Sequence, residues 1–291
     1  SALSTAAMLS DVGYEVVLSA SRQEAIDVAH YAYTRKTKRA FVHIFDGAYA
    51  ACERSVLSPP SSKAPEPCTY TGPSAPATAL VMPHGAMSHR ARALLLSLPS
   101  HLRGKVGIVS VRRLGSWDAA VLRRAVPTSV QTLRVVEEAF SSTDGALYAD
   151  VLESVLSGAL RGVRAQSLVL APGQALYPEA WLALLSLAAE QATPFSLKDV
   201  LARAAAVQVP DLMPFSNSHL VTFVGTDAGV SVPTAELLAR SLFNASKHVR
   251  MLSRYDNYAA GGAVRSDVLM SERPGVDVPM DVLARDGTSH V

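Results

Sequence analysis

Cysteine is scarce in this chain: Cys52 and Cys68 are the only two among 291 residues. Two thiols cannot hold a four-thiolate iron–sulfur cluster or an all-cysteine zinc site. Such sparse usage points to a reducing, cytoplasmic setting. Charge of one sign is also lacking: 27 Lys and Arg stand against 25 Asp and Glu. With no basic block, neither a nucleic-acid footprint nor a polybasic membrane patch is supported. No apolar run approaches the ~20 residues of a membrane span, and Ser1 to Ser10 has neither the basic start nor the long apolar core of a secretory signal. There is no Gly-x-Ser-x-Gly, and neither cysteine stands at a helix start, so hydrolase and thiol-enzyme chemistry lacks its nucleophile. No internal repeat is evident beyond an alternation of strand and helix patterns.

What is present is apolar: 49% of residues are hydrophobic and only 18% charged, enough surface for several small cores. Tyr14 to Leu18 is a β-branched run, Ser19 and Ser21 can cap a helix, and Arg22 to Thr34 has apolar residues at helical spacing. Ala40 to Phe45 then reads as a buried strand stopped by the turn signal Asp46-Gly47, completing a parallel β-α-β unit. Six prolines between Ser58 and Pro76 mark a linker that cannot form a packed element. Beyond it, strands at Ala79–Met82, Val106–Val111, Thr132–Glu137 and Ala165–Leu170 alternate with helices at Ser88–Leu98, Trp117–Ala125 and Leu147–Leu156. That alternation predicts a parallel sheet covered on both faces. Helices at Pro178–Gln191 and Leu197–Ala206 lead to a last module: strand Leu220–Val224, helix Thr234–Phe243, and strands Val249–Ser253 and Ala263–Ser271.

Several positions invite a chemical reading. Gly225, Asp227 and Gly229 lie between a strand and a helix, where backbone amides can hold an anion. The third glycine of a dinucleotide fingerprint is missing, Pro233 intervenes before the helix, and no acidic residue ends the next strand, so a tight βα turn is the competing reading. His84-Gly85 follows a strand in the same topological place, where open α/β sheets bind ligands. His84 and His89 form no metal pair in the sequence, because no carboxylate or third histidine sits beside them. Asp46, with Gly47, can present a carboxylate to a cleft beyond its strand or simply make the turn. Between the last two strands, Asp256 and Asn257 can bond a ligand or a neighbouring module, and Gly261-Gly262 permits close backbone approach.

Taken in order, four pieces resemble the 2-oxoacid:ferredoxin oxidoreductase superfamily across most of Tyr14 to Pro279. SASRQEAIDVAHYAYTRKTKRAFVHIFDG resembles the end of that family's pyrimidine-binding domain. ATALVMPHGAM with GKVGIVSVRRLGSWDAAVLRRAVPTSVQTLRVVEE is similar to its transketolase C-terminal-like domain, and TDGALYADVLESVL continues it. KHVRMLSRYDNYAAGGAVRSDVLMSER looks like the end of its gamma domain. Within the superfamily, SLFNASKHVRMLSRYDNYAAGGAVRSDVLMSERPGVDVP looks closest to the N-terminal region of the flavoprotein (alpha) subunits of fungal NADPH-dependent sulfite reductases.

The resemblance implies an α/β protein with several parallel or mixed sheets covered by helices. Its divisions are a partial pyrimidine-binding-like module at 1–57, the linker at 58–76, a transketolase C-terminal-like domain at 77–175, a helical connection at 176–215 and a gamma-like α/β domain at 216–291. It further implies a non-catalytic, oxidoreductase-like assembly region of an enzyme of sulfate assimilation that reduces sulfite to sulfide. In that enzyme NADPH, FAD and FMN belong to flavin-binding modules of the same polypeptide, and sirohaem with an iron–sulfur cluster belongs to a partner subunit. No cofactor or metal is expected on this chain. Self-association and contacts with those modules are expected at Asp256, Asn257, Gly261 and Gly262. One alternative is a fragment of a thiamine diphosphate- and magnesium-dependent 2-oxoacid:ferredoxin oxidoreductase, although the chain starts after the part that supplies the activating glutamate and ends before the pyrophosphate-binding domain. The other is an unrelated α/β small-molecule-binding module using the turn from Gly225 to Gly229.

Overall fold

The computed structural model describes residues 2–37, 39–45, 57–61, 63–95, 98–114, 117–139, 145–171, 176, 178–207, 218–225, 228–246, 249–255 and 264–271. Two units separate: residues 1–46 with 59–212, and residues 47–58 with 213–291. Within them the protein is α/β, with mixed sheets flanked by helices.

In the first unit the strand-helix-strand pattern at the start forms as its periodicity predicts: β1 (Glu15–Ser19), α2 (Arg22–Thr34) and β2 (Phe41–Phe45), with β1 and β2 parallel. Ser21 caps α2, its side chain accepting the Glu24 N–H. Two features carry no sequence signal strong enough to anticipate them. Helix α1 (Ala2–Asp11) precedes β1, closed by a Schellman turn in which the Gly13 N–H reaches the Ser10 carbonyl and the Tyr14 N–H the Leu9 carbonyl. Gly13 takes the left-handed conformation this turn needs, with φ +98°. The two-residue strand after Arg112 also adds to β1 in antiparallel register, Leu114 opposite Val16 and Arg113 opposite Val17. The opening β-α-β is thereby joined to chain beyond the proline-rich stretch.

That stretch departs from expectation as well. Cys68–Thr71 forms β3, between Pro67 and Pro73, so part of the expected linker is a packed element. It lies on a sheet edge, where flanking prolines cost no ladder bonds. β4 (Thr78–Pro83), β5 (Val106–Val111), β7 (Thr132–Glu138) and β8 (Arg164–Leu170) are mutually parallel, as the alternation predicts, and β6 is the pair Arg113–Leu114 just described. The order is β3-β5-β4-β7-β8, with β3 antiparallel at the edge.

Helices cover both faces. α3 (Ala86–Leu95), the single turn α4 (Ser100–Arg103), α7 (Pro178–Glu190) and α8 (Leu197–Ala204) cover one; α5 (Ala119–Ala125) and α6 (Ala146–Leu156) cover the other. Leu80, Met82, Ile108 and Val136 point to the first core, with Leu94 and Trp181. Ala79, Val81, Val109, Leu133 and Val135 point to the second, with Leu122 and Val151. Alternate residues of the same strands thus feed opposite cores, which is why these strands read as continuous apolar runs. Within the stretch expected to be a helical connection, α7 and α8 form as helices and belong to this covering layer, α7 being buried through Trp181, Ala183, Leu184 and Leu185.

In the second unit β9 (Ser218–Gly225), β10 (Val249–Tyr255) and β11 (Val264–Ser271) form an antiparallel sheet with β11 in the centre. Helix α9 runs from Ala228 to Ser246 with Pro233 inside it. The sequence pattern starts this helix at Thr234; the structure starts it six residues earlier, with Pro233, which cannot donate a backbone bond, inside it. Ala235, Ala239 and Val268 form its small buried core.

Candidate functional site

In the five-stranded sheet, β4 hands the chain to α3 on one face and its neighbour β7 hands it to α6 on the other. Adjacent strands whose connections diverge in this way leave a crevice at their carboxyl ends, the usual ligand position in open α/β sheets. A cavity of about 220 Å³ lies there, lined by Pro83, Trp117, Glu137, Leu147 and Asp150, and by Asp11 at the end of α1.

The protein's own carboxylate occupies the anion position of this crevice. Glu137, at the end of β7, is 4% exposed and accepts the Leu147 N–H at 3.0 Å and the Tyr148 N–H at 2.8 Å. These amides open α6, whose N-cap Gly145 has no side chain to bond them. A helix N-terminus favours negative charge, and here Glu137 supplies it. Gly145 is obligatory for this arrangement, because a Cβ there would fall well within 3.0 Å of the Glu137 carboxyl group.

One strand across, His84 comes directly after β4, with its N–H bonded to the Val111 carbonyl. Its side chain is fully buried, and Nε2 lies 2.7 Å from Glu24 Oε2. Arg112, just beyond β5, places Nη2 2.5 Å from Glu24 Oε1 and 3.1 Å from His84 Nε2. Burial is the largest influence on His84 and lowers its pKa; the Glu24 bond and charge oppose this, while Arg112 and Arg92 reinforce it. Burial thus works against the imidazolium form of His84, whose Nε2 meets both the Glu24 carboxylate and the Arg112 guanidinium. Nδ1 is buried with no hydrogen-bond partner among the described residues. For Glu24, burial raises the pKa, but the His84 bond, the His84 and Arg112 charges and the Ala20 N–H outweigh it and bring the value down to about 2. The Arg112 guanidinium, 2.5 Å from Glu24 Oε1, anchors that direction.

A second carboxylate acts in the same structural way. Glu15 on β1 is buried, with Arg35 Nη1 2.5 Å from Oε2, Arg113 Nη2 2.9 Å from Oε1 and the Tyr31 hydroxyl donating to Oε1 at 3.4 Å. It ties β1, the end of α2 and β6 together. Both clusters are charge networks that pair a buried carboxylate with guanidinium groups, and in the Glu24 cluster His84 Nδ1 and Arg112 Nε are left without a partner among the described residues.

Of the residues expected to form a site, His84 and Gly85 lie at this carboxyl end. The Gly85 N–H is accepted by Ser88 Oγ, and the Ser88 hydroxyl donates back to the Gly85 carbonyl, which starts α3. Gly225 ends β9 and Gly229 lies in the first turn of α9, in the second unit. Asp46, Gly47, Asp227, Asp256, Asn257, Gly261 and Gly262 lie outside the described residues. Among the described residues, no group of three or more His, Cys, Asp or Glu is placed to hold a metal ion, and no helix is long and apolar enough to cross a membrane. The sequence pattern did not single out Glu15, Glu24, Arg112, Glu137 or Asp150. Only Glu24 carried a local signal, three residues after Ser21 in capping-box spacing. Its carboxylate serves the Ala20 N–H and His84 instead of the cap residue.

No protein-family model and no curated protein matches the chain. Among solved structures, an inactive beta4 tetramer of a split-gene transketolase is similar at 16% identity and a TM-score of 0.42, over 66% of this chain and 56% of that one. A likeness at that level bears on neither activity nor cofactor.

Proposed function

We propose that this chain is a non-catalytic, oxidoreductase-like assembly region of the NADPH-dependent sulfite reductase flavoprotein subunit, working beside flavin-binding modules and a sirohaem-carrying partner. The observation that supports a non-catalytic reading is the state of the carboxyl-end crevice in the first unit. Its helix amides are taken by Glu137, and its strand-end histidine is locked between Glu24 and Arg112. No Lys, Arg or His is among the cavity's lining residues, so the described residues present no counter-charge for a diphosphate there. They do not fit thiamine diphosphate at this crevice. The specific assignment to the sulfite reductase branch rests on the resemblance of residues 241–279.

Calorimetry of the flavoprotein complex containing this chain, with thiamine diphosphate and magnesium, gives no binding heat under the proposal. A saturable heat that disappears when the chain is removed from the complex would overturn it. In the same complex, deleting the chain is expected to weaken association with the sirohaem subunit while NADPH-driven reduction of a soluble electron acceptor by the flavin modules persists.

A further inference from the structure

The opposite end of the five-stranded sheet gathers charge of the other sign. Helices α5 and α6 pack on each other, and the connections that follow them lead into the amino ends of β7 and β8. Those connections meet where the Arg164 N–H donates to the Gln131 carbonyl at 2.9 Å. A cavity of about 250 Å³ lies between them. Buried Val126 and Leu160 give it an apolar lining, and exposed Arg123 and Arg161 line it too, one from each helix end. Among the described residues no Asp or Glu lines it. Two further lining residues, Thr128 and Gly162, have backbone N–H groups with no partner among the described residues.

Arginines at a helix C-terminus ordinarily answer the partial negative charge of its open carbonyls. Here they exceed it. Arg123 and Arg124 end α5, Arg161 follows α6 and Arg164 opens β8. None of these four guanidinium groups makes an ion pair or hydrogen bond among the described residues. Against them stand Glu153, in the last turn of α6, and about −0.5 charge from each of the two helix ends, which leaves a surplus of roughly +2. No basic run marks this place in the sequence, because the surplus comes from two connections that only the sheet brings together. We propose that the cavity binds a phosphate-type dianion, either free or carried as a phosphomonoester. Arg123 and Arg161 supply the charge and their forked N–H donors, the Thr128 N–H and hydroxyl add neutral donors, and Val126 and Leu160 receive the carbon body of a monoester.

Titration of the full chain with inorganic phosphate and with phenyl phosphate, at constant ionic strength set with chloride, tests this by calorimetry and by phosphorus NMR line width. Saturable binding at one site per chain is expected. Arg123→Gln and Arg161→Gln should each weaken it at least ~10-fold, since each removes charge-assisted bonds to the anion. Lys63→Gln, which removes an exposed cation from the proline-rich stretch, should leave it unchanged. All three positions are exposed, so the variants are expected to fold as the wild type does. Tighter binding of phenyl phosphate than of inorganic phosphate assigns the site to a monoester, and equal or weaker binding assigns it to the free anion. Absence of saturable binding of both probes by both methods would overturn the proposal. So would an affinity that both arginine variants keep within about twofold, or one that Lys63→Gln lowers equally, because the attraction would then be diffuse.

Discussion

A single methyl group at Gly145 tests the role given to Glu137. Gly145 has an ordinary φ of −83°, so alanine meets no backbone strain there. Its Cβ would nevertheless fall well within 3.0 Å of the Glu137 carboxyl group. The carboxylate must leave, and with it go two charge-assisted bonds to the Leu147 and Tyr148 N–H groups, at 3.0 and 2.8 Å. Hydrogen bonds to charged groups contribute about 1.5–3 kcal/mol each. The displaced carboxylate regains part of that from water in the adjoining cavity, which leaves an expected loss of about 2–4 kcal/mol. Chemical denaturation monitored by tryptophan fluorescence reads the first unit selectively, since Trp117 and Trp181 both lie in it. The decisive comparison is a double-mutant cycle with Glu137→Ala, in which Gly145→Ala should cost less than about 1 kcal/mol because the clash has no partner. A Gly145→Ala protein within about 0.5 kcal/mol of wild type, or one equally destabilised in both backgrounds, would refute the reasoning.

Two further predictions concern the buried charges. Glu24, held at about 2 against 4.5, contributes stability above pH 4.5 that is lost as pH falls towards 2. Acid titration of stability should therefore show a loss of about 2–3 kcal/mol across that window that is absent in Glu24→Gln. Arg134 on β7 is 3% exposed, donates from Nη2 to the Gln191 and Thr193 carbonyls at 2.6 and 2.9 Å, and lies 4.0 Å over the Phe195 ring. Arg134→Met keeps the stem but strands both carbonyls, at an expected cost of about 2–3 kcal/mol in denaturation midpoint analysis; an unchanged midpoint would show that water replaces the guanidinium.

The elements were legible wherever burial imposed a period. Val106–Val111 and Arg22–Thr34 have the bounds that their patterns predict, and the four parallel strands fall within a residue or two of theirs. Elements stabilised by a neighbour, not by their own pattern, were invisible. Arg113–Leu114 is a strand only because β1 offers an open edge, and Cys68–Thr71 only because β5 does. The same holds for the candidate site. His84 could be placed at a strand end from sequence alone, but its partners lie 60 and 28 residues away in the chain.

The amino-acid sequence by itself determined the α/β class, because runs that are apolar on both faces of a strand, alternating with helical periods, have few other ways to bury themselves. It also excluded four-thiolate clusters, through a count of cysteines that no folding can change. Only the tertiary structure decided what the strand ends do. Whether a carboxylate is a ligand, a helix cap or one arm of a charge network depends on which distant amides and cations share its few ångströms, and Glu137 and Glu24 acquire those neighbours from elements the sequence keeps apart. Electrostatic energy falls off with distance in space, not along the chain, and the fold alone sets that distance.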